Sequence, residues 1–404
     1  MLAPCFNPGG VDGAANPEAR LRAGGQAPET GKAGDGPLND CCMLAVDAMG
    51  GDAGPDMTIP GVLQALRRHD DLRVLLFGDA AWLEGKLGAL GSDLRQRMEI
   101  RHAEVAIRMD EKPSQALRKG RRVSSMWQAL EAVKNGEAQA AVSAGNTGAL
   151  MAMSVFVLKT MRGIKRPAIA GLWPTMRGHS IVLDLGATIG ADAEQLVDYA
   201  IMGEAMARAL LRVEQPSVGL LNVGVEEIKG VEEVRRAGRI LREAALPIHY
   251  HGFVEGDDIA RGTVDVFVTE GFTGNIALKT AEGTARQVAG FLKKELNASF
   301  LARLGALLAR RAFRNLKEKL DPRASNGGIF LGLNGIVVKS HGGTDAVGFA
   351  NALTHARAVA RYDLVQTIAN DLAAKRMMRE LQEAREERAE DAPRGAVEAA
   401  RTGT

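Results

Sequence analysis

The parts of this chain best suited to chemistry are short glycine-rich stretches that also carry hydroxyl, amide and carboxylate side chains. They are Asp47-Ala-Met-Gly-Gly-Asp52, Ser143-Ala-Gly-Asn-Thr-Gly148 and Thr269-Glu-Gly-Phe-Thr-Gly-Asn275. Glycine lets backbone N–H groups approach an anion closely, and a helix that follows adds partial positive charge at its N-terminus. Gly50, Gly51, Gly145, Gly148 and Gly274 give that access, while Asn146, Thr147, Thr273 and Asn275 add neutral donors and Lys279 follows one helical turn later. The chemistry implied is the holding of a phosphate or of a developing oxyanion. Asp47 and Asp52 flank Gly50 and Gly51, so the first stretch binds a cation, orients a hydroxyl or, through Asp52 or Asp56, caps a helix. Further on, Lys339-Ser-His-Gly-Gly343 sets Lys339 and His341 beside another glycine turn, for catalysis or for binding an anion.

Much other chemistry is disfavoured. All three cysteines, Cys5, Cys41 and Cys42, precede the first glycine stretch, so no thiol nucleophile lies beside these loops and no disulfide framework or zinc spacing is present. Neither a dinucleotide fingerprint nor a Walker P-loop occurs in a strand-loop-helix context, and neither a metal nor a cofactor is expected. Charge is nearly balanced, with 51 Lys and Arg against 49 Asp and Glu, which gives no reason to expect a nucleic-acid partner. No run of about 18 apolar residues or secretory signal pattern is visible, so a cytoplasmic protein, at most peripheral to a membrane, is expected.

The elements that would position the loops alternate along the chain. Short apolar runs at Leu44–Val46, Arg73–Phe77, Met98–Arg101, Ala138–Val142, Ile181–Leu185, Val218–Asn222, Val264–Thr269 and Gly335–Val338 read as strands. Helical patterns intervene, clearest over Ser114–Lys134 and Glu194–Val213; in the latter, Leu196, Tyr199, Met202, Met206 and Leu210 share one face as core. The alternation predicts an α/β protein with a doubly wound, mostly parallel sheet, its glycine loops at the carboxyl edge of the strands. Residues 1–42, rich in Gly, Pro and Ala, read as a disordered extension, 43–375 as the catalytic domain, and 376–404 as a charged helical or disordered tail.

One segment is of another kind. From Phe291 to Leu320 apolar residues recur at helical spacing, among them Phe300, Leu304, Leu307, Leu308 and Phe313. The basic residues Lys293, Lys294, Arg303, Arg310, Arg311, Arg314, Lys317 and Lys319 face only Glu295 and Glu318. A basic amphipathic segment suits an anionic membrane surface, an acidic protein or a dimer arm.

Taken together, Leu44-Ala-Val-Asp-Ala-Met-Gly-Gly-Asp52, Ser143-Ala-Gly-Asn-Thr-Gly-Ala149, Gly219-Leu-Leu-Asn-Val-Gly224, Gly271-Phe-Thr-Gly-Asn275 with Leu278-Lys-Thr280, and Lys339-Ser-His-Gly342 resemble, in order, the bacterial phosphate acyltransferases known as PlsX. The resemblance covers about Leu44 to Ala374 and implies transfer of a fatty acyl group from acyl carrier protein to inorganic phosphate. The acyl phosphate would feed phospholipid synthesis through a downstream membrane glycerol-phosphate acyltransferase. It also implies a homodimer, a fold similar to isocitrate and isopropylmalate dehydrogenases and phosphate acetyltransferases, and a protruding helical hairpin, here near 286–320, that touches the membrane. Arg303, Leu307, Leu308, Arg310, Arg311 and Arg314 are then candidates for membrane or carrier contact. Two loops depart from the pattern: Thr188 and Gly190 stand where the family has an amide and a carboxylate, and Gly224-Val-Glu-Glu-Ile-Lys-Gly230 is more apolar than its typical counterpart.

Phosphate is substantially dianionic near neutral pH and can attack a thioester directly if held in line, so no covalent enzyme intermediate is needed. The expectation is that Gly145–Gly148 and Gly271–Asn275, with Asn146, Thr147, Asn275 and Lys279, hold phosphate and oxyanion, while Lys339 or His341 assists departure of the thiolate. An acyl-coenzyme A donor, a decarboxylating dehydrogenase and a non-catalytic membrane scaffold are the rival readings.

Overall fold

The computed structural model describes residues 41–88, 91–243, 246, 248–319, 321 and 323–390. The expected extension therefore lies outside the described residues, except for Cys41 and Cys42, and so do residues 391–404 of the expected tail. The strands are β1 (Cys42–Asp47), β2 (Leu72–Gly78), β3 (Met98–His102), β4 (Ala140–Ser143), β5 (Ala168–Thr175), β6 (Gly178–Leu183), β7 (Ser217–Leu221), β8 (His249–Val254), β9 (Val266–Val268), β10 (Gly328–Leu331) and β11 (Ile336–Lys339). The helices are α1 (Pro55–Arg68), α2 (Ala80–Leu87), α3 (Ser92–Gln96), α4 (Pro113–Gly120), α5 (Ser125–Lys134), α6 (Thr147–Leu158) and α7 (Ala193–Leu211). They continue with α8 (Glu232–Glu243), α9 (Gly256–Arg261), α10 (Gly271–Asn297), α11 (Phe300–Leu308), α12 (Arg310–Lys319), α13 (Ala346–Arg361) and α14 (Leu364–Glu390).

All strands join one 11-stranded sheet in the order β3-β2-β1-β4-β11-β10-β5-β6-β9-β7-β8. Alternation along a strand sends side chains to both faces, and both faces are covered, as a doubly wound sheet requires. In β1, Leu44 and Val46 join a core with α1, α7 and α13, while Ala45 joins another beneath α4, α5 and α6. The face of α7 read from the sequence is buried at Leu196, Tyr199, Met202 and Met206, with Leu210 packed against the same core.

The sheet is mostly parallel, with one reversal that the sequence did not show. β1, β2, β3, β4 and β11 run together. The antiparallel pairs β11–β10, β10–β5 and β5–β6 then turn the direction, so β6, β9, β7 and β8 run opposite to the first group. Three strands were not legible: β5 and β10 at the turn, and β8 at the sheet edge. β5 contains Gly171 and Pro174, β10 has only four residues, and β8 is polar, with Gly252 at φ 119° and a register shift where it pairs with β7. The single helix expected over Ser114–Lys134 is two, because Arg122 takes a left-handed φ of 66° and the Ser124 hydroxyl then caps α5 by accepting from the Trp127 N–H. At the far end, the boundary expected at 375 falls inside α14.

Candidate active site

Loops after β1, β4 and β11, neighbours in the sheet, meet at one place. The Asp52 N–H donates to Gly342 O at 3.0 Å and the Ser340 N–H to Ser143 O at 2.9 Å, tying the three loops together. At their centre is Asp47, fully enclosed at the end of β1. Its Oδ1 accepts from Ser125 Oγ at 2.6 Å and its Oδ2 from Ser143 Oγ at 2.7 Å, and Ser143 Oγ accepts in turn from the Gly145 N–H at 3.0 Å. Of the roles open to Asp47, orienting hydroxyls is the one its contacts show. Gly50 leaves room for this network, since a Cβ there would sit 2.7 Å from Gly145 N and 2.8 Å from Asp47 Oδ2. Neither Asp52 nor Asp56 is the cap of α1; that position is Gly54, with Asp56 in the first turn.

Electrostatics at this centre are unusual. Burial lowers the Lys339 ammonium to about 8, against the pull of Asp47 and Asp52, which raise it. Burial likewise pushes the Asp47 carboxyl up, opposed by the hydrogen bonds from Ser125 and Ser143 and by the charge of Lys339. Lys339 Nζ donates to the carbonyls of Ser340 and Ala144. A half-buried amine so placed exchanges its proton closer to neutral pH than a free lysine does. His341 is exposed beside it; its Nδ1 accepts from the Gly343 N–H at 3.2 Å, which leaves Nε2 as the N–H side of the ring.

Asn146 caps α6, with Oδ1 accepting from the Ala149 N–H at 3.0 Å, while Nδ2 donates to Met109 O at 2.9 Å and Glu111 O at 2.8 Å. Its amide is therefore spent on clasping the loop before α4 to the start of α6. The N–H groups of Thr147 and Gly148 at the opening of α6 have no partner among the described residues, so they remain free for an anion.

The third glycine stretch lies elsewhere in the sheet, at the end of β9, with four strands between it and β4. It and the loops after β1 and β4 belong to oppositely directed halves, so the expectation of one shared carboxyl edge is corrected. Its backbone donors are also taken: Glu270 caps α10, accepting from the Phe272 N–H at 2.9 Å and the Thr273 N–H at 2.7 Å, and from the Gly190 N–H at 3.0 Å. The Gly274 N–H bonds Glu270 O. The stretch is glycine-rich for packing, since a Cβ on Gly274 would lie 1.9 Å from Asp184 O and one on Gly271 2.3 Å from Thr188 O. Asp184, buried, gathers Ile169, Gly186, Ala187 and Thr188 N–H groups and the Thr188 hydroxyl, so Thr188 of the departing loop is a structural donor here. Asn275 and Lys279 remain exposed on α10, with Lys279 Nζ paired, among the described residues, to Glu282 at 3.0 Å.

Beyond its first turns α10 leaves the sheet and, with α11 and α12, forms a projecting helical arm. Phe300, Leu301, Leu307 and Leu308 are exposed, Leu308 to 81%, and Arg303, Arg310, Arg311 and Arg314 are exposed with them. No helix among the described residues is long and apolar enough to cross a membrane. Sequence reasoning missed Ser125 and underused Asp47. Ser125 opens a helix of its own only because of the break at Arg122, which no periodicity announced.

Comparison with known proteins gives the family and the fold. A family profile described as "Fatty acid synthesis protein" matches residues 42–367. A phosphate acyltransferase of Beijerinckia indica is 62% identical over 337 residues, 83% of this chain and 87% of the relative. One from Agrobacterium fabrum is 61% identical over 330 residues, 81% of this chain and 93% of the relative. Among solved structures, the EutD phosphotransacetylase from Staphylococcus aureus superposes with a TM-score of 0.53 at 17% identity, covering 79% of this chain and 94% of its own. A phosphotransacetylase from Streptococcus pyogenes gives 0.52 at 17% identity, covering 80% and 95%. These two share the fold. By the profile and the relatives, the chain belongs to the fatty acid synthesis protein family and, within it, is an acyltransferase of the phosphate acyltransferase group.

Proposed function

We propose that the acyl donor is a fatty acyl thioester of acyl carrier protein, that the acceptor is inorganic phosphate held at the loops around Asp47, and that the chain works as a homodimer. The observation that carries this reading is the half-buried Lys339 ammonium, bonded to Ala144 O of the loop whose Thr147 and Gly148 N–H groups are free. Phosphate, already anionic, attacks the thioester carbonyl carbon. The carbonyl oxygen becomes an oxyanion facing the N-terminus of α6, where fixed dipoles stabilise it. Collapse breaks the carbon–sulfur bond, and the thiolate takes a proton from Lys339 or His341, leaving acyl phosphate and free carrier thiol. Gly50, Gly51 and Gly145 keep the walls low, and Asp52 closes the rim. Asn275 and Lys279 on α10 supply a second set of polar contacts to phosphate or donor. The acyl phosphate passes to a glycerol-phosphate acyltransferase at the membrane, and the projecting arm brings the enzyme to that surface.

The test is formation of acyl phosphate from purified acyl carrier thioester and phosphate, trapped as a hydroxamate, beside the same assay with acyl-coenzyme A. Product from the carrier thioester with sequential kinetics is expected. Ping-pong kinetics, or an acylated residue in rapid-quench samples, would overturn direct attack. Preference for the coenzyme A thioester would overturn the choice of donor.

A further inference from the structure

α4 and α6 pack side by side and carry an exposed basic surface that the reaction above does not use. Phe156, near the end of α6, is 41% exposed. The Arg121 guanidinium stands 5.2 Å from its ring centroid and Lys159 Nζ 4.8 Å, so two cations bracket one aromatic face. Arg118, one helical turn before Arg121, and the adjacent Arg122 are exposed with them. Among the described residues no carboxylate stands within ion-pair distance of Arg118, Arg121, Arg122 or Lys159; Asp110 and Glu111, the acidic residues of the α4 approach, are already paired to Arg108 at 2.7 Å and to Lys119 at 3.1 Å. Solvated cations with no carboxylate beside them are free to meet a partner of opposite charge, and aromatic and arginine side chains are the ones that anchor interfaces.

The surface is tied to the reaction centre at both ends of its helices. α6 begins at Thr147, inside the candidate site, and the helical rise of ~1.5 Å per residue puts Phe156, nine residues further along the helix, about 14 Å away. α4 begins at the segment that Asn146 clasps, and Arg122 lies three residues before Ser125, which bonds Asp47.

We infer that the Arg118–Arg121–Phe156–Lys159 surface is the docking face for an acidic carrier protein, whose thioester then reaches along α6 to the loop at Thr147. This rests on the reading that the donor is carried by a protein. It separates two tasks: carrier docking here, and membrane contact on the projecting arm.

The experiment compares the full chain with its Arg118→Glu/Arg121→Glu variant, using two donors: acyl carrier thioester, and a neutral N-acetylcysteamine thioester of the same acyl group. Binding of fluorescently labelled acyl carrier protein is followed by anisotropy in parallel. The expected result is a carrier KM and Kd raised on the order of tenfold or more, a weakened salt dependence, and unchanged kinetics with the neutral donor. Unchanged carrier Kd and KM would overturn the inference, whether or not vesicle flotation or dimer mass changed in the variant; a change in flotation would reassign the face to lipid, and a change in mass to a second copy. Equal loss with both donors would overturn it too, by making the surface part of the reaction centre or of the fold. Wild-type protein that binds no carrier and forms no acyl phosphate from it marks failure of the donor reading itself, separately from this one.

Discussion

At the scale of single residues, the centre is a buried carboxylate and a buried amine that set one another's charge. Asp47 raises the proton affinity of Lys339 while burial lowers it to about 8. If Lys339 gives the departing thiolate its proton, the rate falls as pH rises through that value, because the free amine has none to give. Asp47→Asn removes the negative neighbour, so the Lys339 pKa drops and the falling limb of kcat moves to lower pH. A pH–rate profile measures this; a limb in its wild-type place would remove Lys339 as the acid. The same exchange leaves the hydroxyls of Ser125 and Ser143 with a weaker acceptor, so kcat should also fall on the order of tenfold at the pH optimum. Lys279→Ala asks a different question. Its one partner among the described residues is half-buried Glu282, one turn away, and Lys279 itself is exposed, so removal should leave the melting temperature within about a degree or two while raising KM for phosphate or lowering kcat. Unchanged kinetics would remove Lys279 from the site.

At the scale of elements, the contacts between helices and loops carry their own expectations. Gly274 lets the first turn of α10 lie on the loop after β6, and a Cβ there would meet the Asp184 carbonyl at 1.9 Å. Gly274→Ala should therefore cost about 2–3 kcal/mol in chemical denaturation, as overpacking against backbone does; a stable variant would show that α10 shifts freely. α14 is held to α7 by Arg208, bonded to Glu204 and Asp371, and by Lys375, bonded to Glu194 and Asp198. Burial, helped by nearby Asp371, raises the Glu204 carboxyl from 4.5 to about 7. Between those values the folded state holds a proton that the unfolded state has released, so stability falls as pH rises from about 4.5 to 7, on the order of 2–3 kcal/mol. Glu204→Gln should flatten that slope in melts across this range, and an unaltered slope would place its origin elsewhere. Elements were legible where a strand is a continuous apolar run, as in β1, β2 and β4, because such strands are buried on both faces. They were illegible at β5 and β10, which take up the reversal of the sheet, and at β8, a polar edge strand. At the site, the glycine stretches and Lys339-Ser-His341 stood out in the sequence. That Glu270 fills one cradle, and that Ser125 reaches Asp47 from 78 residues away, depends on tertiary placement that no local pattern carries.

At the scale of the described body, the cores on the two faces of the sheet take up most large apolar side chains; Ile189, Val223 and Ile228 stay exposed on loops after β6 and β7, and the arm of α10, α11 and α12 exposes a run of them beside arginines. Phe300 and Leu301 are exposed to 76% and 77%, with Leu307 and Leu308 beside them, and Arg310 and Arg311 follow directly. Apolar tips next to arginines suit the boundary between acyl chains and anionic headgroups, where burial of apolar area and attraction to charge add. The two contributions can be separated. Leu307→Ser/Leu308→Ser removes the apolar part, so flotation should fall with both neutral and anionic vesicles. Arg310→Glu/Arg311→Glu removes roughly 1 kcal/mol of attraction per charge and adds repulsion, so flotation should fall on the order of tenfold or more with anionic vesicles only. Both pairs are exposed and take no part in the hydrogen bonds around Asp47, so acyl phosphate formation in vesicle-free solution should stay unchanged in each. Retained flotation in both variants would leave the exposed arm to a protein partner, and its mass by light scattering would then show whether that partner is a second copy of the chain.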